Sequence, residues 1–306
     1  MADPAAILRS ERIALLPFVE VGRSGGLFSG TARSIRDIWN RRELLGLLVR
    51  RELKARYKNS SLGIVWSLMR PLSQLLIYYF AVGEIIGLAR AIPDFAIFVF
   101  VGLTAWMLFS EIVANATTSI ISNQGLVKKV YLPREIFPLA SVGSALFNFA
   151  VQFTILLIAI IVLGRFPMTW DILYAAGAFI MLVTFAVAVG VLLAGLTVYA
   201  RDLEHLVEVV LAVLFWASPI IYSYSFVRDA IGGSILEQVY LANPITIAVL
   251  GFQRGLWIAG SNSVNGVVWP PDMAWRMLGV FFFSIILLWV SQRIFSRIQG
   301  NFAQEL

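Results

Sequence analysis

The sequence predicts an all-α polytopic membrane protein. It would have six transmembrane helices, an amphipathic interface helix ahead of them, and re-entrant half-helices on the outer side between spans five and six. Residues 136–164 and 172–200 each run 29 positions without a charged side chain, whereas a hydrocarbon core of ~30 Å needs only about 20 apolar helical residues. Hydrophobic residues make up 59% of the 306 and charged ones 14%, with mean hydropathy +0.82; soluble domains carry about 25% charged residues. Helix is the required geometry, because backbone polar groups must be satisfied internally in lipid and alternating ten-residue strands are absent.

The predicted spans are 63–88, 95–120, 138–163, 172–198, 207–226 and 276–293. Domain organisation follows as a cytoplasmic extension over 1–33, an interface helix over 34–58 and the six-helix unit over 59–306. Residues 1–58 hold 12 of the 24 lysines and arginines. The loops 121–137 and 199–206 and the C-terminal tail add Lys128, Lys129, Arg134, Arg201, Arg293 and Arg297 on the same side. The opposite side has Arg90, Arg165, Arg228, Arg254 and Arg276. The positive-inside rule makes both termini cytoplasmic. The first residues have no apolar core and no small-residue cleavage site, so no signal peptide is expected. No repeat of 20–50 residues is evident.

Several functions are excluded by composition. There is no cysteine and one histidine, His205, which removes thiol, iron–sulfur and histidine-rich metal chemistry. The net charge of +6 comes from basic residues flanking membrane segments, so anionic lipid or a cytoplasmic partner fits better than nucleic acid. Gly22-Arg-Ser-Gly-Gly lacks the P-loop lysine, and no catalytic or metal motif appears. No catalytic residue and no bound cofactor are expected, and any work against a gradient would draw its energy from another chain.

Four groups of residues could carry function. Over 34–57, Ile38, Leu45, Leu48, Val49, Leu53 and Tyr57 follow a helical period, with Arg41, Arg42, Arg50, Arg51 and Lys54 largely elsewhere. That pattern describes a basic amphipathic helix in the membrane interface, either a topology anchor or also a seat for a partner. In the next group, Asn123, Gln124 and Gly125 lead into a short helix over 126–132, with Pro133 closing it and Arg134 and Glu135 restarting a helix. Leu126, Val127, Val130 and Tyr131 offer an apolar surface there, with Lys128 and Lys129 facing away; something should cover it, unless the segment is an ordinary basic turn.

Within the spans, Trp66, Arg70, Gln74 and Tyr78 form an i+4 stripe, and Glu111, Asn115 and Thr118 share one face. Intramembrane polar groups are costly and mark polar routes or ion pairs, such as Arg70 with a carboxylate. Phe215, Trp216, Pro219 and Tyr222 bring aromatics and a proline near the outer surface. The last group lies in 236–259, apolar but broken by Asn243-Pro244 and by Gly251, with Arg254 nearby. Each half is too short to cross, so it reads as re-entrant half-helices or a plain outer loop.

In their order these pieces resemble the membrane subunit of polysaccharide-exporting ABC transporters, which move O-antigen, teichoic acid, capsule or galactan chains. The resemblance rests on Arg51-Glu-Leu-Lys-Ala-Arg-Tyr-Lys58, Leu62-Gly-Ile-Val-Trp66, Arg70-Pro71, Leu126-Val-Lys-Lys, Leu132-Pro-Arg-Glu135, Arg201-Asp-Leu203, Ser218-Pro-Ile-Ile-Tyr222, Asn243-Pro244 and Arg254. It implies a homodimer in the bacterial inner membrane, docked on two copies of a cytoplasmic ATPase that uses ATP and Mg, and exporting a lipid-linked glycan. It further implies that 34–57 and 123–135 receive the ATPase, and that aromatic side chains in the channel stack on sugar rings. One departure is the low net charge of Arg201, Asp202 and Glu204 in the 199–206 loop. A drug or simple-lipid ABC permease is the nearest alternative reading, and a polytopic enzyme acting on polyprenyl-linked sugars a more distant one.

Overall fold

The computed structural model describes residues 36–57, 65–129, 132–261 and 267–306. Among the described residues every regular element is helical. The order is α1 (Arg42–Tyr57), α2 (Val65–Ile77), a π-helical stretch (Tyr78–Ile85), α3 (Leu88–Ala91), α4 (Phe95–Ser122), α5 (Gln124–Lys129), α6 (Ile136–Val162) and α7 (Ile172–Thr197). Then come α8 (Leu203–Trp216), α9 (Tyr224–Ile231), α10 (Ile235–Ala242), α11 (Pro244–Leu256), α12 (Ile258–Ser261), α13 (Met273–Ile298), a 3₁₀ turn (Gln299–Asn301) and α14 (Phe302–Glu305). The N-terminal extension 1–33 lies outside the described residues.

Among the described residues, four helices are long and apolar enough to cross a membrane: α4, α6, α7 and α13 with its 3₁₀ extension. They coincide with the spans expected at 95–120, 138–163, 172–198 and 276–293. The span expected at 63–88 runs from α2 straight into the π-helical stretch and stops at Gly87, whose φ of 91° only glycine adopts readily.

The span expected at 207–226 differs. Its helix, α8, begins four residues earlier and ends at Trp216 after 14 residues, about 21 Å of helix. Pro219 explains the stop, since it lacks an N–H and its ring clashes with the carbonyl four residues back. Residues 217–222 continue as turns and bends, yet Ser218, Ile220 and Ile221 are buried.

The bundle is organised around α4, whose apolar window is 78% buried against 17% for α13. α6, α7, α11 and the α2–π segment surround it. Contact with α7 is close because Gly190 is small: a Cβ there would stand 2.8 Å from that of Ala116. The segment 235–256 folds back, α10 and α11 meeting at 78°. Asn243 makes the corner; its side chain accepts from the Ile245 N–H at 3.0 Å, and Pro244 opens α11 where its missing N–H costs nothing.

Nearly every residue of α11 is buried. It seats on α7 through Gly251 and Gly255, where an added Cβ would come within 2.6 Å of Ala178 and Ala175 respectively. Small residues that let backbones approach are what hold helices together where lipid removes the hydrophobic drive. At Gly255 the Ala175 backbone nitrogen also stands 2.7 Å away, so relief needs a backbone shift. Gly255→Val should therefore destabilise the detergent-solubilised protein by about 1–3 kcal/mol, read as a lowered thermal midpoint. Gly46→Ala, at an α1 position with nothing within 4 Å, should leave the midpoint unchanged or raise it.

Candidate functional site

The two basic segments form one face. α1 lays Leu44, Leu45, Leu48 and Val49 into an apolar cluster with Ile136, Phe137 and Ala140 of α6, Val191 and Ala194 of α7, and Phe295 and Phe302. Gly143 admits the helix, since a Cβ there would lie 2.6 Å from Val49. The apolar stripe of α1, which the sequence offers to lipid or a partner, thus packs on the protein itself. Outward stand Arg42, Arg50, Arg51 and Lys54, all exposed, while Arg41 is half-buried.

The Arg51 guanidinium donates to Asn123 Oδ1, and Asn123 Nδ2 donates to the Ser119 carbonyl at 2.8 Å. α1 is thereby tied to the turn that opens α5. Glu52, largely buried beside Ser141, has its carboxyl pushed up by burial, opposed by Arg51, Arg56 and the bond to Ser141.

In α5, Gln124, Gly125, Lys128 and Lys129 are exposed. Val127 is buried and Leu126 half-buried, both in the same apolar cluster. Two of the four residues of the expected apolar surface, Leu126 and Val127, are thus met from within by the C-terminal tail: Phe302 is fully buried and Leu306 packs against the cluster. Arg134 lies over the Phe302 ring at 5.5 Å, and the buried Glu135 faces the Gln299 amide at 3.5 Å. Pro133 is half-buried. Val130 and Tyr131 lie outside the described residues. The tail was missed because one phenylalanine in the polar run Gln-Gly-Asn-Phe-Ala-Gln-Glu-Leu has no periodicity to announce it. What remains outward is a cationic ledge, Arg42, Arg50, Arg51, Lys54, Lys128 and Lys129.

Deeper in the bundle, Glu111 pairs with Arg56 and accepts from Asn148 Nδ2 at 2.6 Å. Glu111 stands 11 residues from the α4 terminus at Ser122, ~16 Å along the helix. The carboxylate therefore meets the end of α1, not Arg70. Arg70 is exposed near the start of α2, and Gln74 is half-buried with an amide oxygen lacking a donor among the described residues. Asn115 is half-buried, and Thr118 lies 3.4 Å from its carbonyl. Trp66 falls in the first turn of α2, where only the backbone is described.

Further along, the aromatics expected near the channel converge on Phe215. Tyr78 stacks on it at 5.7 Å, and Trp216 meets it edge-on at 5.6 Å. Trp106, not singled out in the sequence because it lies in the apolar first half of α4, meets it at 5.5 Å. The Tyr222 hydroxyl donates to the Trp216 carbonyl at 2.8 Å.

The irregular stretch 217–222 is sustained by α11. Gln253 Nε2 donates to the Pro219 carbonyl at 2.8 Å, Thr246 Oγ1 to the Ala217 carbonyl at 3.3 Å, and Asn243 Nδ2 to Ser218 Oγ at 3.4 Å. Gly102 of α4 makes room, since a Cβ there would stand 2.9 Å from the Ile220 carbonyl. Arg254 closes the hairpin at its far end by pairing with Asp171 at 3.2 Å and lying 3.9 Å over the Tyr174 ring.

A bundle of apolar helices with a buried axis, an inward-folded hairpin and a cationic ledge defines a polytopic membrane protein. Residues 43–257 match the family model of the ABC-2 type transporters, and the chain belongs to that family. It is 30% identical over 274 residues to an O-antigen export system permease protein, RfbA, of Myxococcus xanthus, covering 90% of this chain and 99% of that protein. It is 28% identical over 269 residues to the O-antigen export system permease protein RfbA of Klebsiella pneumoniae, covering 86% and 95%.

Arg56→Ala and Glu111→Gln should each lower stability, because each leaves a charge or polar group at membrane depth without its partner. The double variant should cost less than the two singles added together, by about 0.5–3 kcal/mol, as measured from thermal unfolding of all four proteins. Strict additivity would remove the pair from the account.

Proposed function

We propose that this chain is the channel-forming membrane subunit of an ABC exporter that moves a lipid-linked polysaccharide across the bacterial inner membrane, powered by a separate cytoplasmic ATPase. The observation that carries the reading is the end-to-end likeness to O-antigen export permeases, which spans the spans, the hairpin and the ledge together. An O-antigen type of glycan is the favoured cargo, with teichoic-acid or galactan chains as variants of the same chemistry. Two copies would enclose the path between them, each seated on one ATPase copy that binds ATP and Mg, with six spans per copy and both termini cytoplasmic.

The geometry supports a specific coupling. The ledge is the exposed, cationic surface on which an ATPase can pull. α1 is bolted to the bundle twice, by Val49 against Gly143 and by Arg56 on Glu111. Closure of the ATPases around ATP would therefore move α1 together with α4 and α6 instead of bending a free arm. Along the path, Tyr78, Trp106, Phe215 and Trp216 offer ring faces on which sugars can stack. Contacts of that kind are individually weak, and a long polar chain needs weak contacts, since tight binding at any one would arrest it.

Three measurements test this. Lys128→Glu with Lys129→Glu reverses the charge of the ledge without touching the buried cluster. It should reduce co-purification of the ATPase subunit about tenfold while membrane insertion stays intact; unchanged retention would remove the ledge from the docking surface. Phe215→Ala should slow glycan export in reconstituted vesicles while copy–copy association and ATPase binding persist. Movement of glycan by the chain alone, with no nucleotide-hydrolysing companion, would overturn the division of labour.

A further inference from the structure

A groove of about 640 Å³ opens on the flank of the bundle where α7 and α13 run side by side. Its walls include Phe185 and Val189 of α7 and Gly279, Phe283 and Leu287 of α13, and Leu241, Ala242 and Pro244 at the hairpin corner form its floor. Arg276 stands at its rim, at the end of the bundle where both helices begin. We propose that this groove holds one acyl chain of a bilayer phospholipid whose phosphate is met by Arg276.

Three observations carry the assignment. The first is length. From Arg276 to Leu287 the groove follows 11 residues of α13, ~16 Å, which is the thickness of one hydrocarbon leaflet at about 15 Å. A chain anchored at the rim and lying along α13 reaches Leu287, so an ordinary acyl chain fits and a much longer polyprenyl tail would overrun it.

The second is charge. Arg276 is the one cation among the groove residues. Its Nη2 donates to Gln238 Oε1 at 2.8 Å and its Nε to the Pro271 carbonyl at 3.2 Å. These bonds hold the guanidinium in place and leave N–H groups over from its five for a phosphate. The nearby carboxylate of Glu237 is engaged by the Tyr224 hydroxyl and the Gly233 N–H.

The third is open space. A Cβ added at Gly279 would meet nothing within 4 Å, unlike those at Gly251, Gly255 or Gly190. The glycine widens the groove without serving a helix contact. A second copy of the chain fits less well, because a twofold axis through this flank would bring two Arg276 side chains toward each other.

The consequence is mechanical: a chain lying against Leu241 and Pro244 would fill the space under the hairpin corner. The inference does not depend on the cargo. The test uses the purified full chain in phosphatidylcholine nanodiscs doped with a phosphatidylglycerol carrying a diazirine midway along one acyl chain. Crosslinked peptides are then mapped by mass spectrometry.

Labelling should concentrate on Phe185, Gly279 and Phe283 relative to the exposed α6 positions Ile158 and Ile161. Gly279→Phe, whose Cβ would meet nothing within 4 Å, should cut groove labelling about tenfold, and Gly279→Ala should leave it nearly intact. Arg276→Gln should cut it about fivefold, the order expected for one cation at a lipid surface. Groove labelling no higher than on α6, or unchanged by Gly279→Phe, overturns the proposal. So does a loss of copy–copy association in Gly279→Phe, which would make the flank a protein interface.

Discussion

Backbone polar groups in a membrane cannot turn to water, and the outer half of this bundle is shaped by how that requirement is met where a helix breaks. Pro219 ends α8 about 21 Å after it begins, too soon to finish a crossing, and the chain continues as buried turns. Those turns need donors for their carbonyls. Gln253 and Thr246 supply them from α11, and Gly102 gives up a side chain so that Ile220 can sit against α4. The hairpin must therefore fold inward, because its polar side chains are the replacement for the lost helical hydrogen bonds. The break in α8 and the burial of α11 are two sides of one requirement.

Charge obeys the same economy elsewhere. A carboxylate at the depth of Glu111 costs about 2.5–3.5 kcal/mol unless something answers it. Arg56 and Asn148 answer it from two different elements. In doing so they fasten the end of α1 to α4 and α6. A residue pair that offsets its own burial thus also joins α1 to the core. Together with Val49 against Gly143, it makes α1 a rigid attachment on which a partner's motion can act.

The end of the bundle that carries α1 and α5 shows how a chain uses its own tail. Phe302 and Leu306 fold back beneath α5 and remove the apolar surface of Val127 and Leu126 from view. The exposed side chains of α5 include Lys128 and Lys129. A cationic ledge suits a contact that must form and be pulled on repeatedly, because exposed charges favour rapid encounter and correct register more than permanent adhesion.

Sequence alone determined the membrane architecture, since uncharged runs of 29 residues admit no other solvent than lipid, and four crossings fall where hydropathy puts them. It also located both basic segments, the aromatic positions and the corner at Asn243-Pro244, because proline, glycine and charge act locally. Tertiary structure decided the rest. Periodicity shows that Leu45, Leu48 and Val49 share a face but cannot say whether lipid, a partner or α6 covers it. The partner of Glu111 comes from 55 residues away, and Trp106 joins Phe215 only when α4 and α8 cross. The tail's role rests on one phenylalanine with no pattern around it. Contacts between residues distant in the chain depend on which helices lie side by side, and in an apolar sequence nearly every helix face looks equally ready to be buried.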